Sequence, residues 1–137
     1  MQPNKVDDLI GHLKDELKKN EAVYQFESTK MYMELMIKYY EKVNRAREEG
    51  RFLVGHCILT PVEIFYALDT VPLHLEGFSL FLNFFEDLQH YLQLAKQWGM
   101  ANEICSVHRV LIGMLKENAY PRPDATVWSS LVCDNTV

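Results

Sequence analysis

The sequence predicts an α/β protein in which N-terminal helices precede a small, Rossmann-like parallel sheet. Three observations support this fold class. Apolar residues recur at helical spacing over the first fifty positions, and at Arg51 the pattern changes to a short continuous apolar run, as in a buried strand. A proline-containing helix start and a second short apolar run then follow within about 25 residues. This order of strand, helix and strand is that of a βαβ unit with parallel strands.

Composition limits the classes of protein to consider. The 137 residues are 48% hydrophobic and 24% charged, which is ordinary for one globular domain with a core of its own. The net charge is -5 without a dense Lys/Arg block, so we expect no nucleic-acid partner. Apolar runs stop short of the roughly 18 residues that a membrane span needs. The first residues lack a signal-peptide pattern, and three cysteines without disulfide spacing predict a reducing cytoplasm.

We expect two regions, a helical segment over residues 1–50 and a partial Rossmann-like α/β domain over 51–137. The first helix is predicted over 6–19, and the second over 28–49, where Gly50 ends it. Each helix has an apolar stripe, and a stripe of this kind is typical of a core-facing helix. The stripes are Val6, Leu9, Ile10, Leu13 and Leu17 in the first, and Tyr32, Leu35, Met36, Tyr39, Tyr40 and Val43 in the second.

The βαβ unit begins with a predicted strand over 51–58. Thr60, Pro61 and Glu63 then occupy the N-cap, N1 and N3 positions of a capping box, which predicts a helix over 62–68. A second strand is predicted over 71–75, closed by Gly77. These elements place the predicted sheet in the middle of the chain.

The remaining chain predicts two more helices and a third strand. Residues 78–98 are apolar on nearly all sides and read as one buried helix. A further helix is predicted over 106–118, before Pro121 and Pro123. Ala125–Val132 is the predicted third strand, which Cys133 would close.

Cys105 and Cys133 are the candidate functional residues, because each lies at a predicted junction between elements. A thiol at a helix start is favoured as thiolate by the helix dipole, and strand ends are where open α/β sheets bind ligands. Two such thiols indicate a soft-metal or iron–sulfur site. Zinc with His108 is an alternative, although the spacing fits no zinc-finger pattern. Inert buried thiols are another, and Cys57, inside the strand-to-helix passage, is expected to be buried.

Residues 50–137 resemble the N-terminal half of a subunit of the benzoyl-CoA reductase/2-hydroxyacyl-CoA dehydratase family. The order and spacing of several short motifs together support the resemblance. These motifs are Gly50-Arg51, Gly55, Thr60-Pro61-Val62-Glu63 with Ala67, Val71-Pro72, Cys105-Ser106 with Arg109 and Gly113, Pro123-Asp124, Ser129-Ser130, and Cys133-Asp134.

The resemblance implies an oxygen-sensitive enzyme that acts on CoA thioesters through ketyl-radical chemistry. Family subunits have two Rossmann-like lobes and hold a [4Fe–4S] cluster through three cysteines, with a partner ATPase as electron activator. By position, Cys105 and Cys133 match the first two cluster ligands. Ser106 and Ser130 are the nearest hydroxyls in sequence and are the candidate catalytic groups for moving protons.

The chain departs from the family pattern after Cys133, because the third cysteine and much of the CoA pocket belong to a second half that does not follow here. The resemblance therefore implies one half of a two-lobed subunit, incomplete as it stands. The partners that it implies are a second subunit or the remaining half, the ATPase activator and an acyl-CoA. A non-catalytic interaction module with inert thiols and a zinc-bound assembly module remain alternatives from other functional classes.

Overall fold

The computed structural model describes residues 4–23 and 26–129. Helices and a small sheet alternate along these residues, with the two longest helices first. In chain order the elements are α1 (Lys5–Val23), α2 (Glu27–Arg45), β1 (Leu53–His56), α3 (Glu63–Ala67), β2 (Val71–His74), α4 (Leu75–Asn83), α5 (Gln89–Gln97), α6 (Ser106–Lys116) and β3 (Ala125–Val127).

The three strands form a parallel sheet in the order β2-β1-β3, which confirms the predicted fold class. In the central strand β1, His56 is paired with His74 of β2 and with Val127 of β3. The Asp124 carboxylate accepts a hydrogen bond from the Leu53 amide at 2.8 Å and so anchors the start of β3 beside the start of β1. The carboxyl ends of all three strands therefore lie at one edge of the sheet.

One continuous apolar core connects the N-terminal helices with the α/β part. In α2 the buried residues are Ile37, Tyr40 and Val43, and the Tyr40 ring lies 5.9 Å from that of Phe78 in α4. The prediction that Tyr32 and Leu35 of this stripe are core positions is wrong, because both side chains are exposed. Helix α2 therefore packs against the α/β part through a face that is rotated slightly from the predicted stripe.

The capping box predicted from Thr60, Pro61 and Glu63 is wrong. Helix α3 begins at Glu63 after Val62, and no side chain caps it. The Thr60 hydroxyl instead lies 3.4 Å from Cys57 Sγ. A side chain that contacts the preceding strand exit no longer bonds the helix amides, and here one local contact has replaced another.

The single helix predicted over 78–98 is also wrong, since the structure has two helices, α4 and α5, around a turn. Phe84 at this turn is 78% exposed, and the Asp87 carboxylate accepts a hydrogen bond from the Gln89 amide at 2.9 Å. The turn brings α5 against α6, where backbone atoms of Tyr91 lie next to Gly113. A polar residue that binds a nearby amide is a common signal of a helix start.

The third strand is shorter than predicted. It ends at Val127, all three of its residues are exposed, and Trp128 and Ser129 follow outside the strand. The predicted site residues Ser130 and Cys133 lie outside the described residues. No helix in the described ranges is long and apolar enough to cross a membrane.

Candidate functional site at the strand ends

Glu76 is the central polar residue at the carboxyl edge of the sheet. It lies in the first turn of α4, directly after β2, and is only 9% exposed. One carboxylate oxygen lies 3.0 Å from His108 Nε2 of α6, and the other accepts a hydrogen bond of 2.6 Å from the Ile58 amide after β1. A buried carboxylate needs such partners, because desolvation penalises an unpaired charge. Glu76 therefore holds the exit of β1 and the start of α6 together.

His56 and His74 form a second polar group beside Glu76, at the ends of β1 and β2. Their rings stack with centroids 5.0 Å apart, a consequence of their pairing in the strand register. His56 Nδ1 lies 3.0 Å from the Cys57 carbonyl, and the His74 amide donates to the Tyr39 hydroxyl at 2.9 Å. A Cβ on Gly77 would lie 2.5 Å from His74 Nδ1, so the glycine makes room for this ring.

Burial lowers the pKa of His56 below its usual value, although the Cys57 carbonyl opposes this effect. Burial is also the main cause of the lowered pKa of His74, and the neighbouring His56 adds to it. Because both pKa values are lowered, the side chains of His56 and His74 together bind more protons in the unfolded chain than in the folded protein at mildly acidic pH.

We accordingly expect the free energy of unfolding to fall as the pH drops below about 6.5, the ordinary histidine pKa. Urea titrations at several pH values between 7.5 and 5 would measure the slope. The double variant His56→Gln/His74→Gln should show a shallower slope, because it lacks the two imidazoles. An unchanged slope in that variant would contradict this origin of the pH dependence.

Cys105 lies where the sequence predicts it, at the N-cap of α6, and it is exposed. Ser106, the first residue of the helix, is exposed as well. The Arg109 guanidinium donates to the Asn102 carbonyl at 3.0 Å and its amide donates to the Cys105 carbonyl at 3.1 Å. These bonds fix the approach to the helix.

Cys57 is buried, as predicted, with 1% exposure. Its sulfur accepts a hydrogen bond from the Ser129 amide at 3.1 Å, in addition to its contact with Thr60. The first bond ties the residues after β3 to the end of β1. This thiol therefore has a structural position and does not face an open site.

The start of α6 lies next to the residues that follow β3. The His108 ring packs edge-on against Trp128, with centroids 6.1 Å apart. In sequence, Cys105 lies three positions before His108, and Trp128 lies five positions before Cys133. Cys133 itself lies outside the described residues.

The zinc alternative receives no support from His108, because its Nε2 already faces the Glu76 carboxylate. Within the described ranges, no group of three or more His, Cys, Asp or Glu side chains is placed to hold a metal ion. Of the predicted cluster ligands, the described part of the chain contains Cys105 alone. Its exposure and helix-start position suit a thiolate ligand.

Glu76 was not predicted as a site residue, and His108 was named only as a ligand in the zinc alternative. A signal was present, because Glu76 is a lone acidic residue inside the largely apolar run Val71–Leu82. A carboxylate in such a run is buried with a partner when the run packs in the core. Its partner His108 is 32 positions away, and a separation of that length carries no local pattern.

Comparisons of the chain with protein-family models, curated proteins and solved structures find no match. The family resemblance seen in the motifs stays a prediction. A function is therefore inferred from those motifs together with the geometry of the strand ends.

Proposed function

We propose that this chain is part of an iron–sulfur-dependent 2-hydroxyacyl-CoA dehydratase or aryl-CoA reductase subunit, and that Cys105 is one of its cluster ligands. The observation that carries the proposal is the exposed position of Cys105 at the start of α6, the helix whose first turn reaches the strand ends through the contact between His108 and Glu76. Strand ends of this kind are the usual ligand sites of open parallel sheets.

The helix start that bears Cys105 is held from two sides. Glu76 binds His108 in the first turn of α6, and Trp128 packs against the same imidazole. Thiolate ligands and their orientation depend on such supporting contacts, which also influence the properties of a bound metal. In this proposal Glu76 and His108 act as positioning residues for Cys105.

The other hydroxyl and thiol groups have different parts in the proposal. Ser106, exposed next to Cys105, is a candidate for exchanging protons with a substrate bound at the helix start. Cys57 is excluded as a ligand, because it is buried and hydrogen-bonded.

A bound cluster would supply low-potential electrons to a thioester carbonyl, and an ATPase partner would supply those electrons to the cluster. The remaining ligands would come from Cys133 and from a second lobe or subunit.

Anaerobic reconstitution with iron and sulfide tests this proposal. In the isolated chain we expect two wild-type copies to share a cluster through Cys105 and Cys133, so that iron and sulfide bind together and broad visible absorption develops. Cys105→Ser and Cys133→Ser should each lose most of the bound iron and the absorption. Metal analysis and visible spectroscopy on desalted protein would measure both quantities.

Cys57→Ser is the matched control, since it removes a thiol that the structure buries. It should retain iron at the wild-type level, and circular dichroism should show all variants folded. Absence of iron uptake by the folded wild type, or equal uptake by Cys105→Ser, would contradict the proposal.

A second candidate function is that of a non-catalytic interaction module. It is favoured by apolar side chains around α3 that are half exposed or more, and by the left-handed backbone of Leu59, with φ of 62°. Exposed apolar clusters often mark interfaces, and strained residues often occur at functional sites. The apolar side chains are Ile58, Leu59, Ile64, Tyr66 and Leu68. Folded protein that takes up no iron would favour this candidate.

A further inference from the structure

A cavity of about 480 Å³ is lined by residues of α6 and by residues before and after the start of β3. Its volume is within the range of small-molecule sites, about 300–1,000 Å³. Most of the lining side chains are apolar, and they include Leu75, Leu111, Ile112, Leu115, Tyr120 and Trp128. A ligand with an apolar body would leave water on entering such a cavity, which favours its binding.

Arg122 and Asp124 also line the cavity, and only the aspartate is already paired. One Asp124 oxygen accepts the 2.8 Å hydrogen bond from the Leu53 amide, and the other lies 3.5 Å from the Arg47 guanidinium. The Arg122 side chain is exposed, and within the described ranges it has no hydrogen bond or ion pair. The guanidinium of Arg122 is therefore the uncompensated charge of this pair at the cavity.

The chemistry of a guanidinium determines which ligand group suits Arg122. A guanidinium remains charged throughout the pH range of proteins, so this step depends on no titration. Its planar fork of N–H donors matches a carboxylate, which can accept two parallel hydrogen bonds. A phosphate dianion suits it less well, because one free guanidinium compensates only one of the two charges. The expected group is thus a single carboxylate.

We propose that this cavity binds a small monocarboxylate with an apolar body, whose carboxylate pairs with the Arg122 guanidinium while the body lies against the apolar side chains of α6. The combination of the two features carries the proposal, because an exposed arginine alone is an ordinary solvated side chain. This inference does not rest on the proposed cluster, since it uses only described residues and is tested without added iron.

NMR titration at pH 7.5 with heptanoate and heptanamide tests the proposal, because these probes share the alkyl chain and differ in charge. The indole N–H of Trp128, which lines the cavity, reports on binding, and Trp98→Phe identifies its signal among the two tryptophans. We expect saturable shifts with a dissociation constant on the order of 1 mM for heptanoate. Heptanamide should bind about fivefold more weakly, and acetate, which lacks the alkyl body, should cause no saturable shift.

Arg122→Gln is the first variant, and Arg45→Gln is its matched control. Arg45 carries an exposed guanidinium at the end of α2 and does not line the cavity. Arg122→Gln should bind heptanoate only as well as heptanamide, since it retains the cavity without the charge. Arg45→Gln should keep the wild-type preference for heptanoate.

Leu115→Glu tests the location of the ligand from a second element. Leu115 lies in α6, lines the cavity and is 37% exposed, so a glutamate there keeps a helix-forming residue and adds a negative charge to the apolar wall. Heptanoate affinity should fall about tenfold in this variant, and circular dichroism should show all variants folded. Equal binding of heptanoate and heptanamide to the wild type, unchanged heptanoate affinity in Arg122→Gln or in Leu115→Glu, or no saturable shift would each overturn the proposal.

Discussion

Replacing Glu76 with alanine is expected to lower the free energy of unfolding by about 2 to 4 kcal/mol. The substitution leaves the Ile58 amide and His108 Nε2 without their carboxylate acceptor. Each unsatisfied buried donor costs about 1–3 kcal/mol, and water at the half-exposed Ile58 reduces its share. Urea unfolding at pH 7.5, followed by circular dichroism, would measure the loss.

Two further variants show whether the loss comes from the buried carboxylate. Glu76→Gln keeps one oxygen acceptor and should fall between wild type and Glu76→Ala. Glu63→Ala removes an exposed carboxylate from the first turn of α3 and should change stability by less than about 0.5 kcal/mol. Equal stability of Glu76→Ala and Glu63→Ala would contradict the central position of Glu76.

The same variant connects stability with the proposed function. Glu76 holds His108, and His108 lies in the first turn of the helix that starts after Cys105. If Cys105 is a cluster ligand, Glu76→Gln should reduce iron retention while the protein remains folded. That result would distinguish a positioning effect on Cys105 from general unfolding.

The elements that sequence patterns predicted well are those whose signals are local. The short apolar runs at β1 and β2 are typical of buried strands, and the apolar residues of α6 recur at helical spacing. The structure has an element of the predicted type at each place. Gly50, which ends the second predicted helix, has a positive φ of 65° in the turn after α2. A left-handed residue there suits glycine, which has no Cβ to clash.

The errors arose where a distant contact decided between local alternatives. Thr60 lies against Cys57 and does not cap α3, because the sulfur is held at the strand exit by the Ser129 amide. The turn after Phe84 brings α5 against α6, and the apolar pattern over residues 78–98 does not indicate it. Site prediction failed for the same reason, since Glu76 and His108 meet only in the folded chain.

Replacing Gly113 with alanine is expected to destabilise the protein by about 3 kcal/mol. A Cβ at this position would lie 2.8 Å from the Tyr91 carbonyl carbon and closer still to its oxygen. Both are backbone atoms, so α5 and α6 must move apart, and a rotamer change offers no relief. Urea unfolding with the same optical measurement as above would quantify the effect.

Gly11→Ala is the matched control, because Gly11 lies within α1 with no atom within 4 Å of an added Cβ. Alanine there should stabilise the protein by about 0.5–1 kcal/mol, the usual gain over glycine inside a helix. The same chemical change should therefore have opposite signs at the two positions. A neutral Gly113→Ala would mean that α5 does not approach α6 this closely. The contact matters for the position of α6, which is fixed at Gly113 by α5 and in its first turn by Glu76, and whose N-cap is Cys105.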